Sequence, residues 1–94
     1  MVSIIDCKRY DTEKAKMIKR FNHNGSTMDF NVVKEFYVTD KGNYFSYSYQ
    51  DDEEGSKRSE RIKPYSKQEF IEYLEKHQEL ELLESLFGSE IADA

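Results

Sequence analysis

Phe36-Tyr37-Val38-Thr39-Asp40-Lys41-Gly42-Asn43-Tyr44-Phe45-Ser46-Tyr47-Ser48-Tyr49 decides the fold. Aromatic and β-favouring residues fill both arms, and Thr39 to Asn43 suits a tight reversal between them. Gly42 can supply the positive φ that such a loop needs. In the second arm Phe45, Tyr47 and Tyr49 alternate with Ser46 and Ser48, which gives a strand one aromatic and one polar face. The segment predicts a β-hairpin.

Toward the N-terminus, Val2 to Ile5 reads as a short strand, Asp6-Cys7-Lys8 as a turn, and Arg9-Tyr10 as extended chain. Asp11 or Thr12 can cap a helix over Glu13 to Phe21. Its apolar residues Ala15, Ile18 and Phe21, with Met17 beside them, fall at helical spacing. Asn22 to Ser26 would end that helix in turn chemistry. Met28 to Lys34 fits either a helical turn or a strand.

Toward the C-terminus, Gln50 to Glu60 holds no apolar residue and predicts a mobile loop. Arg61-Ile62-Lys63 predicts a short strand, which Pro64 places at an edge or stops. Ser66-Lys67-Gln68-Glu69 fits a capping box, with Tyr65 and Phe70 placed as a hydrophobic staple. In the helix that follows, Phe70, Tyr73, Leu74 and His77 share one face. Leu80, Leu83, Leu86 and Phe87 form a second stripe, rotated by more than a quarter turn. One straight helix could not bury both, so a break is expected near His77 to Glu79. Gly88 is the natural stop, and residues 89–94 should fray. The expectation is a single α+β domain over residues 1–88. Its small antiparallel sheet would hold the N-terminal strand, the hairpin and the short edge strand, with one N-terminal and two C-terminal helices.

Ninety-four residues allow one domain, and 35% of them are charged. Seven tyrosines and six phenylalanines still suffice for a small core. No apolar run approaches the roughly 18 residues of a membrane span. Val2 to Ile5 is too short for the hydrophobic region of a signal peptide. One cysteine, Cys7, excludes an internal disulfide framework and a cysteine-rich zinc site. These features suggest a cytoplasmic protein without a membrane partner, a binder rather than an enzyme.

Candidate chemistry is sparse. Cys7 with His23 or His77 forms no recognised nucleophilic spacing. Asp51-Asp52-Glu53-Glu54 lacks the offsets and the fixed glycine of a calcium loop. The glycines are dispersed, so no phosphate-cradling loop exists. No catalytic residue, metal or cofactor is therefore expected.

Charge is unevenly distributed. Residues 1–50 carry eight Lys/Arg against six Asp/Glu, whereas residues 51–94 carry six against thirteen. Two surfaces follow. Lys8, Arg9, Lys14, Lys16, Lys19 and Arg20, interleaved with Tyr10 and Phe21, would suit nucleic-acid binding from the N-terminal helix. Glu69, Glu72, Glu75 and Glu79 would form a helical row about 5–6 Å apart, continued by Glu81 and Glu84. Such a row resembles phosphates along a strand and would be attracted to a basic groove. Asp51, Asp52, Glu53 and Glu54 would add a flexible second contact. The plainer reading makes both surfaces ordinary solvated faces, the acidic one partly neutralised by Lys67 and Lys76. The tyrosine-rich hairpin could also serve a homodimer.

Three segments carry a resemblance: Lys8-Arg9-Tyr10-Asp11-Thr12-Glu13-Lys14-Ala15, Tyr37-Val38-Thr39-Asp40-Lys41-Gly42-Asn43-Tyr44-Phe45, and Arg61-Ile62-Lys63-Pro64-Tyr65-Ser66. In this order they resemble a family of small proteins from phages and integrative elements of Gram-positive bacteria. The resemblance spans roughly Ile4 to Gly88. This chain departs from the pattern at Cys7, where a turn glycine is usual, near Gln78, where the helix junction lacks a glycine, and in an acidic rather than glycine-rich loop after the hairpin. Mobile elements of those hosts encode small acidic inhibitors of bacterial defence systems, so the resemblance implies that setting. The expectation is a non-enzymatic inhibitor, an anti-CRISPR protein of phage or mobile-element origin. Its acidic helix would compete with DNA or RNA for a host defence nuclease, foremost a Cas9-type CRISPR effector or another nucleic-acid-binding protein. The alternative is a small accessory protein that binds nucleic acid through Lys8, Arg9, Lys16, Lys19 and Arg20.

Overall fold

The computed structural model describes residues 1–24, 30–52 and 57–91. Six strands precede two helices: β1 (Val2–Ile5), β2 (Lys8–Asp11), β3 (Lys16–Asn24), β4 (Phe30–Val38), β5 (Tyr44–Asp52), β6 (Lys57–Tyr65), α1 (Lys67–Lys76) and α2 (Leu80–Phe87). The fold is α+β, with an antiparallel meander β3-β4-β5-β6 and a separate two-stranded sheet β1-β2, so the N-terminal strand does not join the hairpin's sheet as expected.

The predicted hairpin is β4-β5, in register from Phe30↔Asp52 to Val38↔Tyr44. Its turn closes through Gly42 N–H to Thr39 O (2.9 Å) and Asn43 N–H to Thr39 Oγ1 (3.1 Å), with Gly42 at φ 81°. The alternation sends neighbouring residues to opposite faces of the meander. Phe21, Phe36, Phe70, Leu74, Leu83 and Phe87 form one core, between the sheet and the helices. Tyr10, Val33, Tyr37, Phe45, Tyr47, Tyr49 and Ile62 form a second core on the other face, against which Ile5 and Ala15 pack. The β1-β2 pair reaches this second core through Tyr10, whose ring meets Phe45 edge-on at 5.4 Å. Phe36, fully buried, lies within about 6 Å of the rings of Phe21, Tyr65, Phe70 and Tyr73.

The N-terminal helix expected over Glu13 to Phe21 does not exist; Lys16 to Asn24 is strand β3. The cause is a β-bulge. Met17 pairs with Tyr37 and Lys19 with Phe36, so Ile18 is an extra residue with no partner opposite. That insertion turns a two-residue alternation into the three-residue spacing of Ile18 and Phe21, which imitates a helix. Ala15, the first residue of the supposed stripe, packs into the other core.

The polar segment 50–60 also differs from the expected loop. β5 continues to Asp52, and β6 starts at Lys57 and runs to Tyr65, well beyond the short strand expected at 61–63. Strand pairing needs backbone partners rather than apolar side chains, and here Asp51 faces Lys57 across the ladder. Residues 53–56, including Glu53 and Glu54, lie outside the described residues.

At the C-terminus the capping box and the break hold, whereas Leu80 and Leu86 of the expected second stripe are exposed and the chain does not fray from residue 89 but forms a 3₁₀ turn; residues 92–94 lie outside the described residues. Ser66 caps α1 reciprocally with Glu69, and Phe70 and Leu74 form its buried stripe. The chain breaks at Gln78 (φ 54°), where Glu79 N–H reaches Leu74 O and Gln78 N–H reaches Glu75 O. That bond pair is a Schellman closure with glutamine at the left-handed position usually held by glycine. α2 then buries Leu83 and Phe87. Gly88 keeps right-handed backbone and passes into a 3₁₀ turn (Gly88–Glu90), where Glu90 pairs with Lys67.

Candidate functional site

The structure treats the two expected charged surfaces differently. The acidic one belongs to the helix layer. Glu69, Glu72 and Glu75 are exposed on α1, and Glu79, half-buried, opens α2. They differ in freedom. Glu69 is committed to the cap: its Oε1 accepts from Ser66 N–H at 3.0 Å, while Ser66 Oγ accepts from Glu69 N–H at 3.1 Å. The Ser66 backbone and hydroxyl bonds hold its carboxyl below the usual range. Glu72 accepts only from neutral Gln68, at 3.3 Å. The Glu75 carboxylate makes no hydrogen bond or ion pair among the described residues. Lys67, one of the two lysines expected to neutralise the row, is taken by Glu90. Glu81 and Glu84 extend the exposed carboxylates onto α2. The ridge that can meet a partner is therefore Glu72 and Glu75, with Glu81 and Glu84 beyond the break.

Of the expected secondary acidic contact, Asp51 and the backbone of Asp52 belong to β5. Asp51 is half-buried in β5 opposite Lys57, and Asp52 pairs with Phe30 in the ladder.

The basic residues do not form a helical row. Lys8 and Arg9 lie on β2, Lys16 and Lys19 on β3. Arg20 is drawn into the second core's polar network. Its guanidinium donates to Tyr49 Oη at 3.1 Å and stands 3.8 Å from Glu35, whose other oxygen accepts from Tyr37 Oη at 2.8 Å. Tyr47 donates to Glu60 on the same face. Burial first, then these acidic acceptors, raises the Tyr37 and Tyr47 hydroxyls well above their ordinary range.

Lys8, Arg9, Lys14 and Lys41 line one cleft. This cleft, of about 570 Å³, lies between the β2 wall and the β4-β5 turn, lined by Cys7, Lys8, Arg9, Tyr10, Asp11, Lys14, Ala15, Thr39, Asp40, Lys41 and Asn43. Its walls are the first two segments of the family resemblance, brought together although some 30 residues separate them. Lys41, Asp40 and Thr39 were not singled out from sequence as site residues; the only signal was the tight turn that holds them.

Cys7 is exposed in the turn between β1 and β2, whereas the His77 ring lies on the helix side, 4.3 Å from the ring of Tyr73. Among the described residues no group of three or more His, Cys, Asp or Glu side chains could hold a metal ion. No helix among them is long and apolar enough to cross a membrane.

No protein-family model, no curated protein and no solved structure matches the chain.

Proposed function

We propose that this protein is a non-enzymatic inhibitor encoded by a phage or mobile element. Its acidic helix occupies the basic nucleic-acid groove of a host defence nuclease, foremost a Cas9-type CRISPR effector. The observation that carries the reading is the exposure of Glu72 and Glu75 on α1, without a cation of this chain paired to either among the described residues. A carboxylate already paired internally must give up that partner before it can bind another; these two need not. Arginines that read a PAM or a phosphate strand present forked donors that carboxylates accept in pairs. The rigid α1, anchored by Phe70 and Leu74, holds the two carboxylates one turn apart at low entropic cost.

The test is pull-down of the tagged protein from host lysate carrying its defence systems, with and without nuclease treatment. Retention of a defence nuclease after nucleic acid is digested is the predicted result. Recovery of nucleic acid alone, lost on digestion, would overturn the inhibitor reading.

A further inference from the structure

The cationic cleft stands independently of the acidic helix. Lys8, Arg9, Lys14 and Lys41 line it from two separate segments, and none of the four makes an ion pair among the described residues. Gathering like charges into one concave space is unfavourable in the free protein and becomes favourable when an anion enters. Two carboxylates share the lining, but they are not equivalent. Asp11 is turned to its own loop, with Oδ1 accepting from Glu13 N–H at 2.9 Å. Asp40 has no such bond and remains available to accept from a ligand hydroxyl.

The walls are stiff. Asp11 O receives the N–H groups of Lys14 (3.3 Å) and Ala15 (3.1 Å), which closes the segment after β2. The opposite turn is closed from Thr39 to Asn43 by backbone and hydroxyl bonds. Tyr10, wedged on Phe45, and Ala15 supply apolar lining. The volume falls within the ~300–1,000 Å³ typical of small-ligand sites. Arginine and lysine ammonium groups together suit phosphate oxygens, the former as a fork and the latter as point charges.

We infer that this cleft is a phosphate-binding site of nucleotide size, in which Lys8, Arg9, Lys14 and Lys41 hold the phosphate groups and Asp40 accepts from a sugar hydroxyl. The phosphate can come from a free nucleotide or from the terminus of a nucleic-acid strand.

The experiment titrates the full chain with ADP, inorganic phosphate and a 5′-phosphorylated single-stranded oligonucleotide at low salt. Calorimetry reads affinity, and amide shifts of residues 8–15 and 39–43 read location. Saturable ADP binding is expected, weakened at least ~10-fold by the double reversal Lys8→Glu/Lys41→Glu and kept by Lys8→Arg/Lys41→Arg, because each lost phosphate contact also forfeits charge. Both pairs sit on exposed side chains, and circular dichroism checks that each variant is folded. Tighter binding of the oligonucleotide, equally lost on reversal, assigns the phosphate to a strand end and supports the site. No saturable binding of any probe, or binding that the reversal leaves unchanged, overturns it.

Discussion

Replacement of Cys7 and Gln78 by glycine should stabilise this protein. Cys7 follows Asp6 in the two-residue turn between β1 and β2, and both have positive φ, 53° and 60°. With Ile5 paired to Lys8, this is the hairpin turn in which Asp-Gly is favoured. Gln78 (φ 54°) occupies the left-handed position of the Schellman closure. A side chain there costs roughly 1–2 kcal/mol, because Cβ crowds the carbonyl. Glycine removes that cost but adds about 0.5–1 kcal/mol of unfolded-chain entropy. The net gain is about 0.5–1 kcal/mol per site. The sites lie in different layers, so the gains should add. For a domain of this size each kcal/mol raises Tm by roughly 4–8 °C. Thermal unfolding by circular dichroism should therefore rank Cys7→Gly/Gln78→Gly above the native chain. Cys7→Ala/Gln78→Ala, which retains both Cβ atoms, should show no gain. A glycine pair no more stable than the alanine pair would refute the assignment of strain to these two positions.

Three further outcomes follow from the cores and caps. Phe36→Ala should cost about 3–5 kcal/mol in urea unfolding, since a fully buried ring shared by several aromatic neighbours cannot be refilled by collapse. Ser66→Ala should cost about 1 kcal/mol by removing the α1 cap; it should weaken the acid limb of the stability profile only slightly, because the Ser66 N–H that mainly lowers the Glu69 carboxyl remains in alanine. Glu69 contributes to that limb: its carboxyl is lowered in the fold, so its contribution is present above the unfolded carboxyl range and lost as pH falls through the folded one. At the other end, Tyr37 and Tyr47 are raised in the fold. Stability should hold below the unfolded tyrosine range near pH ~10 and fall as pH climbs above it, with Tyr37→Phe/Tyr47→Phe reducing that alkaline dependence in pH-stepped denaturation.

Local chemistry was legible in the sequence; distant pairing was not. The β4-β5 hairpin announced itself because alternation and turn residues lie within one short stretch. The Ser66–Glu69 cap and the break at Gln78 were likewise readable from near neighbours and from the rotation between two stripes. β3 was misread because bulged Ile18 stands three residues from Phe21, a distance that periodicity alone assigns to a helix. The polar ends of β5 and β6 were missed because pairs such as Asp51 with Lys57 carry no hydrophobic signal. The acidic row was visible, and the capping box already set Glu69 apart; that the Glu75 carboxylate has no partner among the described residues is shown only by the packing. The cleft joins residues 7–15 to 39–43, a meeting that no linear pattern encodes.

Charge reversal at Glu72 and Glu75 tests the central claim most directly. The measurement is target-DNA cleavage by a guide-loaded Cas9-type effector, with increasing native protein or the Glu72→Lys/Glu75→Lys variant, folding of the latter verified by its melting curve. Both residues are exposed, so the variant should fold. The predicted result is that the native chain suppresses cleavage in competition with DNA and the variant does not. Equal suppression by the folded variant, or none by the native chain, would contradict the account.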